Sequence, residues 1–150
     1  MTKSLVPPEF DAPTAFTGPG FRLEPLGPEH NERDHEAWMS SVDHIRATPG
    51  FSVEEEKDWP VPMSLERNLQ DLVMHAQHFE ERRGFTYSIL DGDEVIGGIY
   101  IYPARDPRYD ADISNWVRGS RAEMDAAVRL ALGDWIAEAW PFENPNYFGL

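Results

Sequence analysis

The residues able to do chemistry in this chain fall mostly in its second half. Tyr100 and Tyr102 sit two apart in the run 94–102, so a strand there turns both phenols to one face, where they can move a proton or simply pack. Asp112 and Ser114 share a face of the next run, with Asn115 opposite; a carboxylate so placed can bind an ammonium group or take its proton. Arg118 and Arg121 can clamp an anion by forked hydrogen bonds. Between and beyond them, Ser120-Arg-Ala-Glu123 has the form of a capping box, which would satisfy the same amides that an anion needs. Glu123 and Asp125 add negative charge at that helix start, which favours the helix and repels phosphate. His75 and His78, at i and i+3, could share a metal, but no third ligand accompanies them and no metal is expected. His30, His35 and His44 read as solvated residues on or near the first helix. Glu54, Glu55, Glu56 and Asp58 form an acidic run followed by Trp59, whose ring can cover a cationic amine. No Gly-x-Ser-x-Gly elbow, Walker loop or dinucleotide fingerprint occurs.

The 150 residues carry 13 Lys+Arg against 27 Asp+Glu, a net charge of −14. That balance excludes the simplest nucleic-acid surface, which must neutralise phosphates, and docking on anionic membrane. It suits a cationic partner such as a small amine or a basic peptide. With 41% hydrophobic residues the chain can bury one sizeable core. The absence of cysteine removes disulfides, thiolate metal sites and a Cys nucleophile together. No apolar run approaches the roughly 20 residues of a membrane span, and the start lacks a secretion signal. A cytoplasmic protein is expected.

Residues 1–20 hold Pro7, Pro8, Pro13, Gly18, Pro19 and Gly20 and predict an extended arm anchored by Leu5, Val6, Phe10 and Phe16. A domain over 21–150 follows. Phe21–Leu26 alternates as a half-buried strand, and Ala37, Trp38, Val42 and Ile45 predict one helix between Pro28 and Thr48. Ser64 caps a second helix whose face is Leu65, Leu69, Leu72, Val73, Ala76 and Phe79. Two strands, 85–90 and 94–102, are joined by the Asp91-Gly-Asp93 hairpin signal. The second is apolar on both faces, so it should lie centrally, and Gly97-Gly98 marks a bend or close backbone approach. A strand over 111–117 follows, then a helix from Ser120 to Pro141, then a short strand over 146–150. The order β-α-α-β-β-β-α-β predicts an α+β domain, a three-layer α/β/α arrangement on a mixed, mostly antiparallel sheet.

This order resembles the GCN5-related N-acetyltransferase superfamily. Phe21-Arg-Leu-Glu-Pro-Leu-Gly-Pro-Glu-His30 resembles the first strand and helix entry of its ribosomal-protein and aminoglycoside branches. Ile89-Leu-Asp-Gly-Asp-Glu-Val-Ile-Gly-Gly98 resembles its second and third strands, and Trp116-Val-Arg-Gly-Ser-Arg-Ala-Glu123 its fourth strand, pyrophosphate loop and following helix. The resemblance covers about residues 20–150. It implies acyl transfer from acetyl-CoA to an amine, with Trp116, Val117, Arg118, Gly119, Ser120 and Arg121 holding the cofactor. It also implies a substrate side at Glu55 and Trp59, and proton transfer by Asp112, Tyr102 or Tyr147.

Two departures qualify what is implied. The family loop reads Gln/Arg-x-x-Gly-x-Gly/Ala; here only Arg118 matches, and Arg121 and Glu123 stand at the glycine positions. Family members also continue past the fifth strand with a helix and two strands, so this chain reads as a short, C-terminally truncated member with a degenerate loop. A catalytically silent acetyltransferase-like module, binding a ligand or partner, is the alternative reading. An uncovered edge at 146–150, with Tyr147 and Phe148, predicts a homodimer through that strand or the adjacent Trp140-Pro-Phe142 segment.

Overall fold

The computed structural model describes residues 4–51 and 59–150. Two short strands open the fold, β1 (Phe16–Gly18) and β2 (Phe21–Pro25), joined by a turn with Gly20 at φ +81°. The arm therefore adds an edge strand that the Pro/Gly pattern hid, because three residues carry too little alternation to read. Before β1, Val6 is buried while Leu5, Phe10 and Phe16 pack on the same core, as their apolar character predicts. Tyr87 donates its phenol hydrogen to the Pro13 carbonyl at 2.6 Å and fastens the arm to the sheet.

The single helix expected between Pro28 and Thr48 is broken. A 3-10 turn (Pro28–His30) leads to α1 (Asn31–Met39), and α2 (Val42–Arg46) follows. Ser40 and Ser41 both donate to the Ala37 carbonyl, at 3.0 and 2.9 Å. Such local hydroxyl bonds compete with the helical ladder, and Ser41 leaves helical geometry at φ −134°. α3 (Leu65–Glu80) begins as expected, with the Ser64 hydroxyl accepting from the Arg67 amide at 3.1 Å.

The remaining strands are β3 (Phe85–Asp91), β4 (Glu94–Pro103), β5 (Ala111–Val117) and β6 (Pro145–Tyr147). A 3-10 turn (Gly119–Met124) separates β5 from α4 (Asp125–Ala139). The expected helix start at Ser120 is thus displaced to Asp125, and the Ser120–Glu123 capping box does not cap it. The sheet runs in chain order from β1 to β6; neighbours are antiparallel except β5 and β6, which are parallel. The last strand is shorter than 146–150, with Leu150 instead lying against Gly133 of α4. Among the described residues no helix is long and apolar enough to cross a membrane.

β4 is interior, and its period-two alternation divides the molecule. Ile99 and Ile101 face α4, where Val128, Leu132, Trp135 and Trp140 complete one core. Tyr100 and Tyr102 face the other side, where Trp38, Ile45, Phe51 and Trp116 form a second. The face expected to bring α3 onto the sheet is only partly used: Leu72 is buried, but Leu69 and Val73 stay 39% and 47% exposed. Asn68 turns inward in place of Leu69, because its amide group satisfies buried polar groups of α1, described below.

At Gly97 the backbones of β4 and β5 approach closely. A Cβ there would fall on the Trp116 carbonyl oxygen, backbone that has nowhere to move. We therefore expect Gly97→Ala to lower unfolding free energy by about 1–3 kcal/mol, the range typical of overpacking, in chemical denaturation.

Candidate functional site

α1, α3, β4 and β5 enclose a cavity of about 320 Å³. Its wall is largely aromatic. Trp59 meets Phe51, Tyr100 and Trp116 with ring centroids 5.7, 6.0 and 5.9 Å away. Tyr100 and Ser114 are directly paired across β4 and β5, so the strand register alone brings them to one spot. The Trp116 indole donates to the Tyr100 hydroxyl at 3.1 Å and fixes it, while burial pushes the Tyr100 phenol well above its ordinary range.

Three titratable groups of the helices face this space: Asp34 from α1, and Asp71 and His75 from α3. Asn68 organises them. Its Nδ2 donates to Asp34 Oδ2 at 3.1 Å and to Asn31 Oδ1 at 2.8 Å, and its Oδ1 accepts from the Trp38 indole at 3.0 Å. Burial raises Asp34 to about 6, against the opposing pull of the Asn68 hydrogen bond. Asp71 is held by Arg67 one turn earlier, at 2.5 Å. Burial, aided by repulsion from His78, lowers His75 to about 4, so its imidazole is neutral at pH 7. A carboxylate, a neutral imidazole and aromatic faces around one small cavity suit a cationic amine.

A second cavity of about 250 Å³ shares Tyr100 and Ser114 with the first and reaches Tyr102 and Asp112. Asp112 is held by the Arg105 amide at 3.2 Å and the Asn146 side chain at 3.1 Å. Tyr147 does not join this pair. Odd-numbered β5 residues face α4, and Tyr147 lies on that side with its hydroxyl donating to Asn115 Oδ1 at 2.7 Å. The expected proton-transfer residues thus divide, with Tyr102 and Asp112 on one sheet face and Tyr147 on the other. Trp59 lines the first cavity as expected, whereas Glu55 lies outside the described residues.

The turn after β5 is built for ion pairs. Arg118 forks onto Glu36 at 2.8 and 2.7 Å and approaches Glu94 at 3.4 Å; Arg121 binds Asp91 at 2.8 Å and Glu94 at 2.7 Å. Two guanidinium groups face three carboxylates. These contacts raise both arginines and hold Glu36 below the usual carboxylate range, with its Arg118 hydrogen bonds the main cause. The Gly119 amide is taken by the Ser41 hydroxyl at 2.8 Å. As arranged, this turn does not fit a pyrophosphate, since its cations are neutralised and the excess charge is negative. Trp116 and Val117 bury their side chains in opposite cores, so only their backbone could meet a ligand.

The backbone of β5 is more permissive. The Arg118 amide donates to Ile96 and the Phe148 amide to Ile113, so odd-numbered residues of β5 direct their peptide groups toward β6. β6 ends at Tyr147, paired with Ile113. The peptide groups of Asn115 and Val117 lie beyond that pairing, with no strand partner on that side among the described residues, although both residues are buried.

Sequence reasoning missed Asp34, Asn68, Asp71 and His75 as lining residues, and read His30 as solvated. His30 is buried, accepting from the Gly27 amide at 3.1 Å and lying 3.0 Å from Glu24. The available signal was polar residues on the inner face of amphipathic helices: Asp34 next to Trp38, and Asn68 and His75 beside Leu72.

No protein-family model and no curated protein matches the sequence. Solved structures do match in fold. The ribosomal-protein-S5-alanine acetyltransferase from Vibrio fischeri aligns with a TM-score of 0.62 at 15% identity, over 83% of this chain and 68% of that one. RimJ of Mycobacterium smegmatis, solved in complex with CoA-disulfide, aligns with a TM-score of 0.64 at 18% identity, over 85% of this chain and 61% of that one. An acetyltransferase from Salmonella typhimurium, which modifies the N-terminal serine of ribosomal protein L7/L12, gives 0.59 at 14%, over 80% and 65%. The chain has the N-acetyltransferase fold expected from the order of its elements, and spans about two thirds of the length of these structures.

Asp34 yields a stability prediction. Its native value of about 6 lies above the ordinary 3.8, so the folded state keeps a proton that the unfolded state loses first. Stability therefore falls as pH rises from about 4 through 6, and the loss, about 3 kcal/mol at most, is fully present at pH 7. Asp34→Asn should raise the unfolding free energy at pH 7 by about 1–3 kcal/mol and flatten that pH dependence, measured by denaturant titration from pH 4 to 7.5.

Proposed function

We propose that this chain is an N-acyltransferase that takes a primary amine, either small or at the end of a basic peptide, as acceptor and acetyl-CoA as donor. The observation that carries the reading is the cavity in which Asp34 and Asp71 stand among Trp59, Phe51 and Tyr100, beside Ser114 of β5. Ionised Asp34 attracts the ammonium form, and the rings cover it by cation–π contact. The protein's charge of −14 concentrates such cations at its surface. The Asn115 and Val117 amides suit an amide-rich donor arm and the charge that develops on a thioester oxygen, once the groups that bury them give way. Of the residues named from the sequence, Trp59 acts on the amine side and Tyr102 and Asp112 flank the adjoining cavity; Arg118 and Arg121 meet the donor's phosphates only after leaving their carboxylate partners.

A second reading, a catalytically silent amine-binding module, is favoured by one observation. Arg118 and Arg121 are committed to Glu36, Asp91 and Glu94, so phosphate must displace carboxylate before a donor can bind. The two readings differ in what Glu94→Gln does. For a transferase, removing that charge takes one of two carboxylate partners from each arginine and tightens acetyl-CoA binding about threefold to tenfold in calorimetry; Arg118→Ala weakens it. Binding at millimolar strength or weaker in wild type and Glu94→Gln alike leaves only the silent module.

The amine end is tested separately. Affinity for a primary alkylamine should fall about tenfold for each pH unit below about 6, as Asp34 protonates. Asp34→Asn should bind weakly at every pH. A wild-type affinity independent of pH between 4.5 and 7 would exclude Asp34 as the counter-ion.

A further inference from the structure

Beside the amine cavity, His75 and Tyr102 belong to a hydrogen-bonded cluster that also holds His78 and Thr86. The Tyr102 hydroxyl lies 2.8 Å from His75 Nδ1 and 3.0 Å from His78 Nδ1, and Thr86 Oγ1 lies 3.2 Å from His75 Nδ1. His75 lines the amine cavity; His78 and Tyr102 line a separate groove of about 610 Å³ at the C-terminal end of α3. The cluster therefore connects two openings. Gly84 makes room for it, since a Cβ there would strike the Tyr102 ring.

Two tautomers of His75 satisfy these contacts, since the Tyr102 and Thr86 hydroxyls can each donate or accept. In the one the relay below requires, His75 carries its proton on Nδ1 and shares that N–H between the two oxygens. Tyr102 then has one O–H to give, and gives it to His78 Nδ1. This leaves His75 Nε2 as a bare lone pair, with no protein partner among the described residues.

We infer that His75, Tyr102 and His78 act as one base, taking the proton of the amine at His75 Nε2 and discharging it into the groove from His78; this rests on the acyl-transfer reading above. An ammonium acceptor must lose two protons to become an amide, one before attack and one as the nitrogen acylates, and the leaving thiolate takes up one. One proton per turnover is left to export. It passes from the ammonium nitrogen to His75 Nε2, while the His75 Nδ1 proton moves to Tyr102 and the Tyr102 proton to His78 Nδ1. His78 then releases its Nε2 proton to water in the groove, and exchange with water resets the tautomers. The relay explains why two histidines are present. His75 is too buried to hold a cation comfortably, and the transfer delivers the charge to His78 at the open end. The charged groups around the path are Asp34 and Asp71 in the cavity, Glu81, Arg82 and Arg83 in the groove, and Arg105 and Asp112 beyond Tyr102.

The first test needs no donor. Ring nitrogen NMR of the wild-type protein at pH 7 should show neutral His75 with hydrogen on Nδ1 and neutral His78 with hydrogen on Nε2; hydrogen on His75 Nε2 overturns the inference. In steady-state acylation, Tyr102→Phe should lower kcat about tenfold to a hundredfold with KM for the amine changed less than about twofold. Added imidazole should restore activity to His78→Gly. Wild-type kcat and pH profile in Tyr102→Phe overturn the relay and leave acyl transfer standing. A wild-type protein that binds amines and acylates none overturns both.

Discussion

The side chain of Asn68 is the point on which the functional half of the molecule turns. It is 2% exposed, and makes three hydrogen bonds to Asn31, Asp34 and Trp38 of α1. A buried amide without partners is costly, so this group fixes both the rotation of α3 and its distance from α1. Every residue of the cavity wall supplied by α3 inherits its position from that rotation. The same rotation leaves Leu69 and Val73 facing outward, a loss of apolar burial that hydrogen bonding inside offsets. Packing alone would have chosen the opposite face.

Electrostatics divides the molecule in a second way. The acidic excess is not spread evenly. Three carboxylates converge on the two arginines after β5, and Asp71 is paired with Arg67, while Asp34 stands in an aromatic setting with the neutral Asn68 amide on its carboxylate. The first group is largely neutralised within the chain. Asp34 awaits a positive charge from outside, and its raised proton affinity measures how unfavourable that wait is.

What the sequence disclosed follows from the range of its signals. The apolar character of both alternating sets in 94–102 placed β4 at the centre, and the strand period told that Tyr100 and Tyr102 share a face. The Gly97-Gly98 pair disclosed a close backbone approach, and Ser64 an N-cap, because each is a local requirement. The break at Ser40-Ser41 was missed because serine in a helix is ambiguous: the hydroxyl must find its carbonyl before the helix stops. Asp34, Asn68 and His75 were missed for a different cause. Their roles depend on α1 and α3 meeting across more than 30 residues, and no single-helix pattern encodes that. Arg118 and Arg121 were legible as an anion clamp in type, but their partners Glu36, Asp91 and Glu94 come from three other places in the chain. Tyr147 was placed correctly on a strand but on the wrong face of the site, since a three-residue strand gives no alternation to judge by.

The packing of the arm on α4 bears on the order of folding. Phe10 meets Trp140 at 5.2 Å, and Phe16 stacks on Trp135 at 5.3 Å. Phe10 and Phe16 thus find their partners only when α4, more than 100 residues later, has been made. Contacts of such separation close late and slow the search, whereas the β3–β4 hairpin can form early from its own local turn. During synthesis the apolar side chains of the arm and the bare edge of β2 have nothing to cover them. A cell making this chain must shelter that stretch until α4 has emerged.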